Sequence, residues 1–174
     1  QSDAYLVVFV CFASKAVHLE VATDLTTTTF LAAYERFVSL RGNPSVIWSD
    51  NGTNFVGANN HFIKVRRLLQ SKTHQETITK TASERGTKWE FIPPAAPHFG
   101  GLWEAAVKSA KRLIKITLNG ERPSLEAFQT LVAKVSAILN SRPITAVSSD
   151  PNDIEFLTPG HFLLFRPLTS PPVD

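Results

Sequence analysis

One stretch constrains this chain more than any other: Ser45-Val46-Ile47-Trp48-Ser49-Asp50-Asn51-Gly52-Thr53-Asn54-Phe55. Val46 to Trp48 is a short apolar run and predicts a buried strand. Asn51-Gly52 then demands a turn. Asp50 is thereby set at the carboxyl end of a core strand, the rim where open α/β sheets bind ligands. A carboxylate on such a tip suits a divalent cation. It equally suits the start of an ordinary Asp-Asn-Gly turn, and the stretch alone does not separate the two.

The elements around it predict an α/β domain with a mixed sheet. Tyr5 to Phe12 is nearly continuous apolar sequence and predicts a strand buried on both faces. After a turn at Ala13-Ser14-Lys15, Val17, Leu19 and Val21 alternate with His18, Glu20 and Ala22, so the two runs make an antiparallel hairpin. The polar run Asp24 to Thr29 suits a helix start. Phe30, Leu31, Tyr34, Phe37 and Val38 then recur at helical spacing up to Gly42. Phe62, Val65, Leu68 and Leu69 mark a second amphipathic helix, with Lys64, Arg66 and Arg67 on its wet side. Residues 71–86 are polar and read as a loop or weak helix inserted on the surface. Trp89 to Ile92 predicts a short strand stopped by Pro93-Pro94. Helices follow over about 102–118 and after Ser124. The tail from Asn140 reads as extended coil.

With 174 residues, the length suits one domain, expected as a core over 1–145 and a Pro-rich tail over 146–174. A net charge of +3 permits a nucleic-acid partner without requiring one. The five His have no zinc-site spacing, and the single Cys11, in an apolar run, is expected to be a core thiol. No signal peptide or membrane-length apolar run is present, so the expectation is an intracellular chain with no membrane partner. The sequence opens Gln-Ser-Asp-Ala and enters a strand at once, which suggests a piece of something longer.

A second carboxylate follows the Pro/Gly-rich segment Pro94 to Gly101, a loop whose glycines allow movement. Glu104 lies in the first turn of the next helix. At 100° per residue, Lys108, Lys111 and Lys115 fall within about 40° of it, while Ala106, Ala110, Leu113 and Ile116 face the other way. A solvated stripe with helical ion pairs explains this pattern. So does a phosphate-gripping face beside a metal-binding acid, because two-metal phosphodiester chemistry needs carboxylates converging on hard cations such as Mg²⁺ or Mn²⁺.

These residues also carry a resemblance. Ser49 to Phe55, with Pro97-His98-Phe99-Gly100-Gly101-Leu102-Trp103-Glu104, resembles the catalytic core of a retroviral-type integrase. Ala16-Val17-His18-Leu19-Glu20, Trp103 to Lys108, Leu139-Asn140-Ser141-Arg142-Pro143 and Thr158-Pro159-Gly160-His161-Phe162 resemble integrases of BEL/Pao-type LTR retrotransposons. The resemblance implies a ribonuclease-H-like mixed sheet flanked by helices and an Asp, Asp, Glu metal triad. Asp50 matches its second Asp and Glu104 its Glu. Lys108 and Lys111 match positions that contact DNA ends, with Lys115 a turn further on. Asn51, Asn54 and His98 match positions lining the cleft. The 54-residue step from Asp50 to Glu104 is longer than in retroviral enzymes, and residues 71–86 look like the extra length.

The family's first Asp sits on a central strand ahead of the hairpin. This chain shows no such strand, and Asp3, Glu20 and Asp24 are poorly placed to replace it. The resemblance therefore implies DNA as partner, a two-metal Mg²⁺ or Mn²⁺ site complete only with the missing Asp, a homo-oligomer and a nuclear location. A non-catalytic nucleic-acid-binding or assembly module on the same fold is the alternative. Ribonuclease H proper is a remoter one.

Overall fold

A computed structural model describes residues 3–50, 60–92, 101–147 and 155–168. They divide into two compact units, Gln1–Val7 with Glu20–Gly101, and Val8–Leu19 with Leu102–Asp174. The first hairpin contributes to both. Its strands β1 (Tyr5–Val10) and β2 (Val17–Ala22) pair in a two-stranded sheet. Their connection is too short for a parallel crossover, so they are antiparallel.

In the first unit, Thr26 caps α1 (Thr27–Arg41) by accepting from the Thr29 N–H. Gly42, at φ 83°, ends it by donating to the Val38 carbonyl. Strand β3 (Val46–Ser49) lies parallel to β4 (Lys88–Phe91), with Ile47 opposite Trp89 and Ser49 opposite Phe91. Parallel neighbours need a long crossover, and here it includes α2 (Asn60–Leu69) and α3 (Lys72–Ser83).

Helix α3 corrects the expected surface insertion. Ser71 caps it, and His74, Ile78 and Ala82 are buried at four-residue intervals. The stripe escapes a hydrophobicity count because two of its three members, His and Ala, are not strongly apolar. Its contacts are aromatic. The ring of Phe30 meets His74 at 5.4 Å and Trp89 at 6.0 Å, and Tyr34 meets Trp89 at 5.6 Å, all edge to face.

In the second unit, α4 (Gly101–Leu118) ends at Asn119 and Gly120, both at positive φ. Ser124 caps α5 (Leu125–Asn140). Two short strands, β5 (Thr145–Ala146) and β6 (Phe156–Leu157), pair antiparallel, and α6 (His161–Leu164) follows. The described parts of the tail thus hold short strands and a helical turn in place of the expected extended coil. Asn140 holds this part of the chain. Its main-chain carbonyl accepts from the Gly160 N–H at 2.8 Å. A Cβ at Gly160 would lie 3.1 Å from that oxygen and 3.0 Å from Leu168 Cδ1, so any side chain there would push these neighbours back by a few tenths of an ångström.

The Asn140 side chain is buried and brackets one residue of β2. Val17 N–H donates to Oδ1 at 2.7 Å, and Nδ2 donates to the Val17 carbonyl at 2.7 Å. In an antiparallel ladder both main-chain groups of a residue point to one edge. Val17 therefore presents its outer edge to α5 and not to β1. In the first unit, Arg36 Nη2 donates to the carbonyl of Val21, four residues along.

Four further expectations need correction. Strand β3 is not buried: Val46 is 41% and Trp48 38% exposed. Strand β1 is half-buried throughout, not enclosed on both faces. Both strands have one paired neighbour among the described residues, where a fully buried strand needs cover on every side. In α4 the apolar face stops a turn early, since Ile116 is 66% exposed. Cys11 lies in the hairpin turn and is exposed, not a core thiol.

The fold class itself holds, an α/β chain with parallel and antiparallel pairs. Among the described residues β1–β2 and β3–β4 are separate two-stranded sheets. No described helix is long and apolar enough to cross a membrane.

Two outcomes follow from this packing. Asn140→Ala removes the side-chain acceptor of the buried Val17 N–H and leaves its carbonyl to the Ser136 hydroxyl, and should cost on the order of 2 kcal/mol, read as a lower urea midpoint at unchanged slope. The second concerns His74. Its Nδ1 lies 2.9 Å from the Thr27 hydroxyl, and its buried Nε2 has no hydrogen-bond partner among the described residues. Burial holds its pKa below the ordinary value. The contribution of neutral His74 is complete above the unfolded-state pKa of about 6.5 and is lost as pH falls below it. The urea midpoint should drop between pH 7.5 and 5, and His74→Gln should flatten that drop.

Candidate active site

Asp50 follows β3 directly and is half-buried. The residue before it is held from two sides. Trp89 Nε1 donates to Ser49 Oγ at 2.9 Å, and the Ile92 N–H donates to the Ser49 carbonyl at 3.0 Å. The parallel ladder thus runs to the carboxyl tips of both strands, where Asp50 emerges. Trp89 is itself buried against Phe30 and Tyr34. The apolar strand body and the rigid tip have one cause, since the ring that packs the core also donates to the last residue before the acid.

Glu104 lies in the first turn of α4 and is exposed. An acid there is favoured by the partial positive charge of the helix start. Lys108, Lys111 and Lys115 are exposed on the same stripe, which runs about 16 Å along the axis. The opposite side holds the buried Ala106 and Ala110. The sequence placed all four charges correctly, because helical spacing alone decides which residues share a face.

Asp50 belongs to the first unit, and Glu104 with the three lysines to the second. Asn51, Asn54 and His98 lie outside the described residues, as do residues 93–100 of the glycine-containing loop. Among the described residues no three His, Cys, Asp or Glu side chains gather closely enough to hold a metal. Asp50 and Glu104 are each hard oxygen donors of the type Mg²⁺ prefers.

One neighbour of Glu104 is not evident from residue patterns. Phe12, in the turn of the first hairpin, meets Trp103 edge to face at 6.4 Å. Trp103 immediately precedes Glu104. The available signal was an aromatic residue continuing the β1 run into a turn, where a polar residue is usual.

The fold is similar to that of solved catalytic cores of retroviral integrases. A chain of the simian T-cell lymphotropic virus intasome in complex with PP2A regulatory subunit B56 gamma superposes with a TM-score of 0.60 at 14% identity, over 99% of this chain and 56% of that one. The chain thus spans little more than half of that relative. The HTLV-2 integrase catalytic core domain in complex with magnesium matches in its trimeric form at TM-score 0.56 and 20% identity, over 92% of this chain and 90% of that one. Its dimeric form matches at 0.52 and 19%, over 86% and 88%. No family model matches the sequence, and no curated protein does.

The lysine stripe leads to a measurable expectation. Lys108→Ala with Lys111→Ala should weaken duplex DNA binding about equally for all sequences. It should also reduce the steepness of log K against log salt by about one unit per lysine, because phosphate contacts carry charge and no base information. An unaltered salt titration would assign the stripe to solvation alone.

Proposed function

We propose that this chain is the catalytic core of an integrase from a BEL/Pao-type LTR retrotransposon. Its parent protein would process element DNA ends and join them to host DNA by two-metal phosphodiester chemistry. The observation that carries the reading is a carboxylate at the tip of β3 and a second in the first turn of α4, on the fold of retroviral integrase cores. Asp50 and Glu104 would hold Mg²⁺ or Mn²⁺, which would activate the attacking oxygen and stabilise the leaving one. Lys108, Lys111 and Lys115 would grip phosphates, with Asn51, Asn54 and His98 beside the reacting ends. The partners are element and target DNA and further copies of the same protein, and the place of action is the nucleus.

On this reading two carboxylates would not suffice for strand transfer. Two-metal transfer needs a carboxylate bridging both ions, and the described residues hold no three-acid cluster. We place the third acid on an additional strand paired with β1. The alternative, a non-catalytic DNA-binding or assembly module, draws on the same shortfall.

The test compares the 174-residue chain with a form extended by an Asp-bearing strand ahead of β1. Each is assayed for strand transfer on labelled element-end DNA with Mg²⁺ or Mn²⁺. Product is expected from the extended form and should disappear in Asp50→Asn and in Glu104→Gln. Robust transfer by the shorter chain, lost in Asp50→Asn, would show that an acid already within it completes the site. DNA binding with no transfer by either form would favour the assembly module.

A further inference from the structure

Helix α2 carries a charge pattern that the proposed active site does not use. Between Asp50 and Glu76 the sequence holds no acid, while it holds Lys64, Arg66, Arg67 and Lys72. Lys72 pairs with Glu76. Elsewhere in the first unit Arg36 pairs with Glu20, Arg85 with Glu35 and Lys88 with Glu90. Lys64, Arg66 and Arg67 are exposed, and among the described residues none of them pairs with an acid. The partial negative charge of a helix end favours Arg66 and Arg67 in the last turn. It does not account for Lys64. At about 100° per residue, Ile63 and Arg67 fall about 40° apart at the centre of the exposed side, with Arg66 about 60° beyond one and Lys64 about 60° beyond the other. Ile63 is 41% exposed, and the opposite side is the half-buried Val65, Leu68 and Leu69. The helix end is held in place. The Leu68 carbonyl accepts from the Ser71 N–H at 3.0 Å and the Leu69 carbonyl from Gln75 Nε2 at 2.7 Å. The cations of α2 are thus splayed to both flanks of a fixed helix, whereas those of the α4 stripe form a single row.

We propose that α2 is a second DNA-binding element, seated along the major groove of a duplex, with Lys64 on the phosphates of one strand, Arg66 on those of the other and Arg67 between them. The proposal rests on the DNA-processing reading and gives the unit that carries Asp50 its own hold on DNA. Charge and shape favour this occupant. A helix with its side chains is about 10–12 Å across, and the major groove is about 12 Å wide. Cations on both flanks of such a helix meet two phosphate rows at once, and each contact releases counterions. An acidic peptide is one chain and offers one row of charge. An anionic membrane would need the apolar side of the helix turned outward, and here that side is turned inward.

The experiment titrates salt against binding of the 174-residue chain to a labelled duplex and to the matching single strand. Lys64→Gln with Arg66→Gln and Arg67→Gln removes the charge and keeps side chains that favour a helix. On the duplex its plot of log K against log salt should be shallower than the parent's by about three units, and that of Lys64→Gln alone by about one. On the single strand, which has no groove, variant and parent slopes should coincide. Arg66→Lys with Arg67→Lys should keep the parent's duplex slope. Lys134→Gln with Arg166→Gln, exposed cations outside α2 and α4, should keep it too. Thermal melts check that each variant folds. A parent-like duplex slope in the triple variant and in Lys64→Gln, with slope still lost in Lys108→Ala with Lys111→Ala, would overturn the α2 contact and leave the DNA reading intact. Equal losses on duplex and single strand, or an equal loss per residue in Lys134→Gln with Arg166→Gln, would reduce the effect to overall charge and overturn the groove placement. No binding of either DNA by the unaltered chain would overturn the DNA reading and the α2 contact together.

Discussion

The grip of Asn140 on Val17 is the interaction on which the second unit depends. A primary amide can match both main-chain groups of one residue, and here both bonds are 2.7 Å long and buried. Ser136 Oγ adds a bond to the Val17 carbonyl, and Arg142 ties the Leu139 and Lys15 carbonyls. The end of α5 is thereby fastened to the hairpin, and the Asn140 carbonyl fastens the Thr158-Pro159-Gly160 turn in its place. Three segments far apart in sequence meet at one residue. Each bond is modest on its own, but losing the Asn140 acceptor strands the buried Val17 N–H, and that penalty ties the segments together.

The same bonds decide which sheet edge stays available. A strand edge with unpaired N–H and carbonyl groups invites another strand. The outer edge of β2 is occupied at Val17 by an amide and at Val21 by the Arg36 guanidinium, itself paired with Glu20. Side chains do there what a further strand would otherwise do. Strand addition to the hairpin is therefore directed to β1, which has β2 as its one partner strand among the described residues.

Helical faces and caps were legible from sequence because each needs only local information. Thr26, Gly42, Ser124 and the Glu104 stripe fall where turn chemistry and 100° steps put them. Burial was less legible because it depends on neighbours that no short window contains. The Val46–Trp48 run is as apolar as any core strand, yet its alternate residues face out. Helix α3 failed in the opposite sense. A buried His, Ile and Ala inside a run of Thr, Lys and Gln gives little hydrophobic signal, and its helix is decided by α1 and β4 packing on it. Asn140 was visible as part of a motif, but its bracket was not, because its partner lies 123 residues away.

Asp50 and Glu104 are both held by backbone that forms on its own account. The two described acids sit on opposite kinds of support, Asp50 on a ladder locked by Trp89 and Ser49, Glu104 on the first turn of an 18-residue helix. Neither support needs a metal to form, because hydrogen bonding and side-chain burial hold both. In both cases the backbone, a parallel ladder in one and a helix start in the other, fixes where the carboxylate stands.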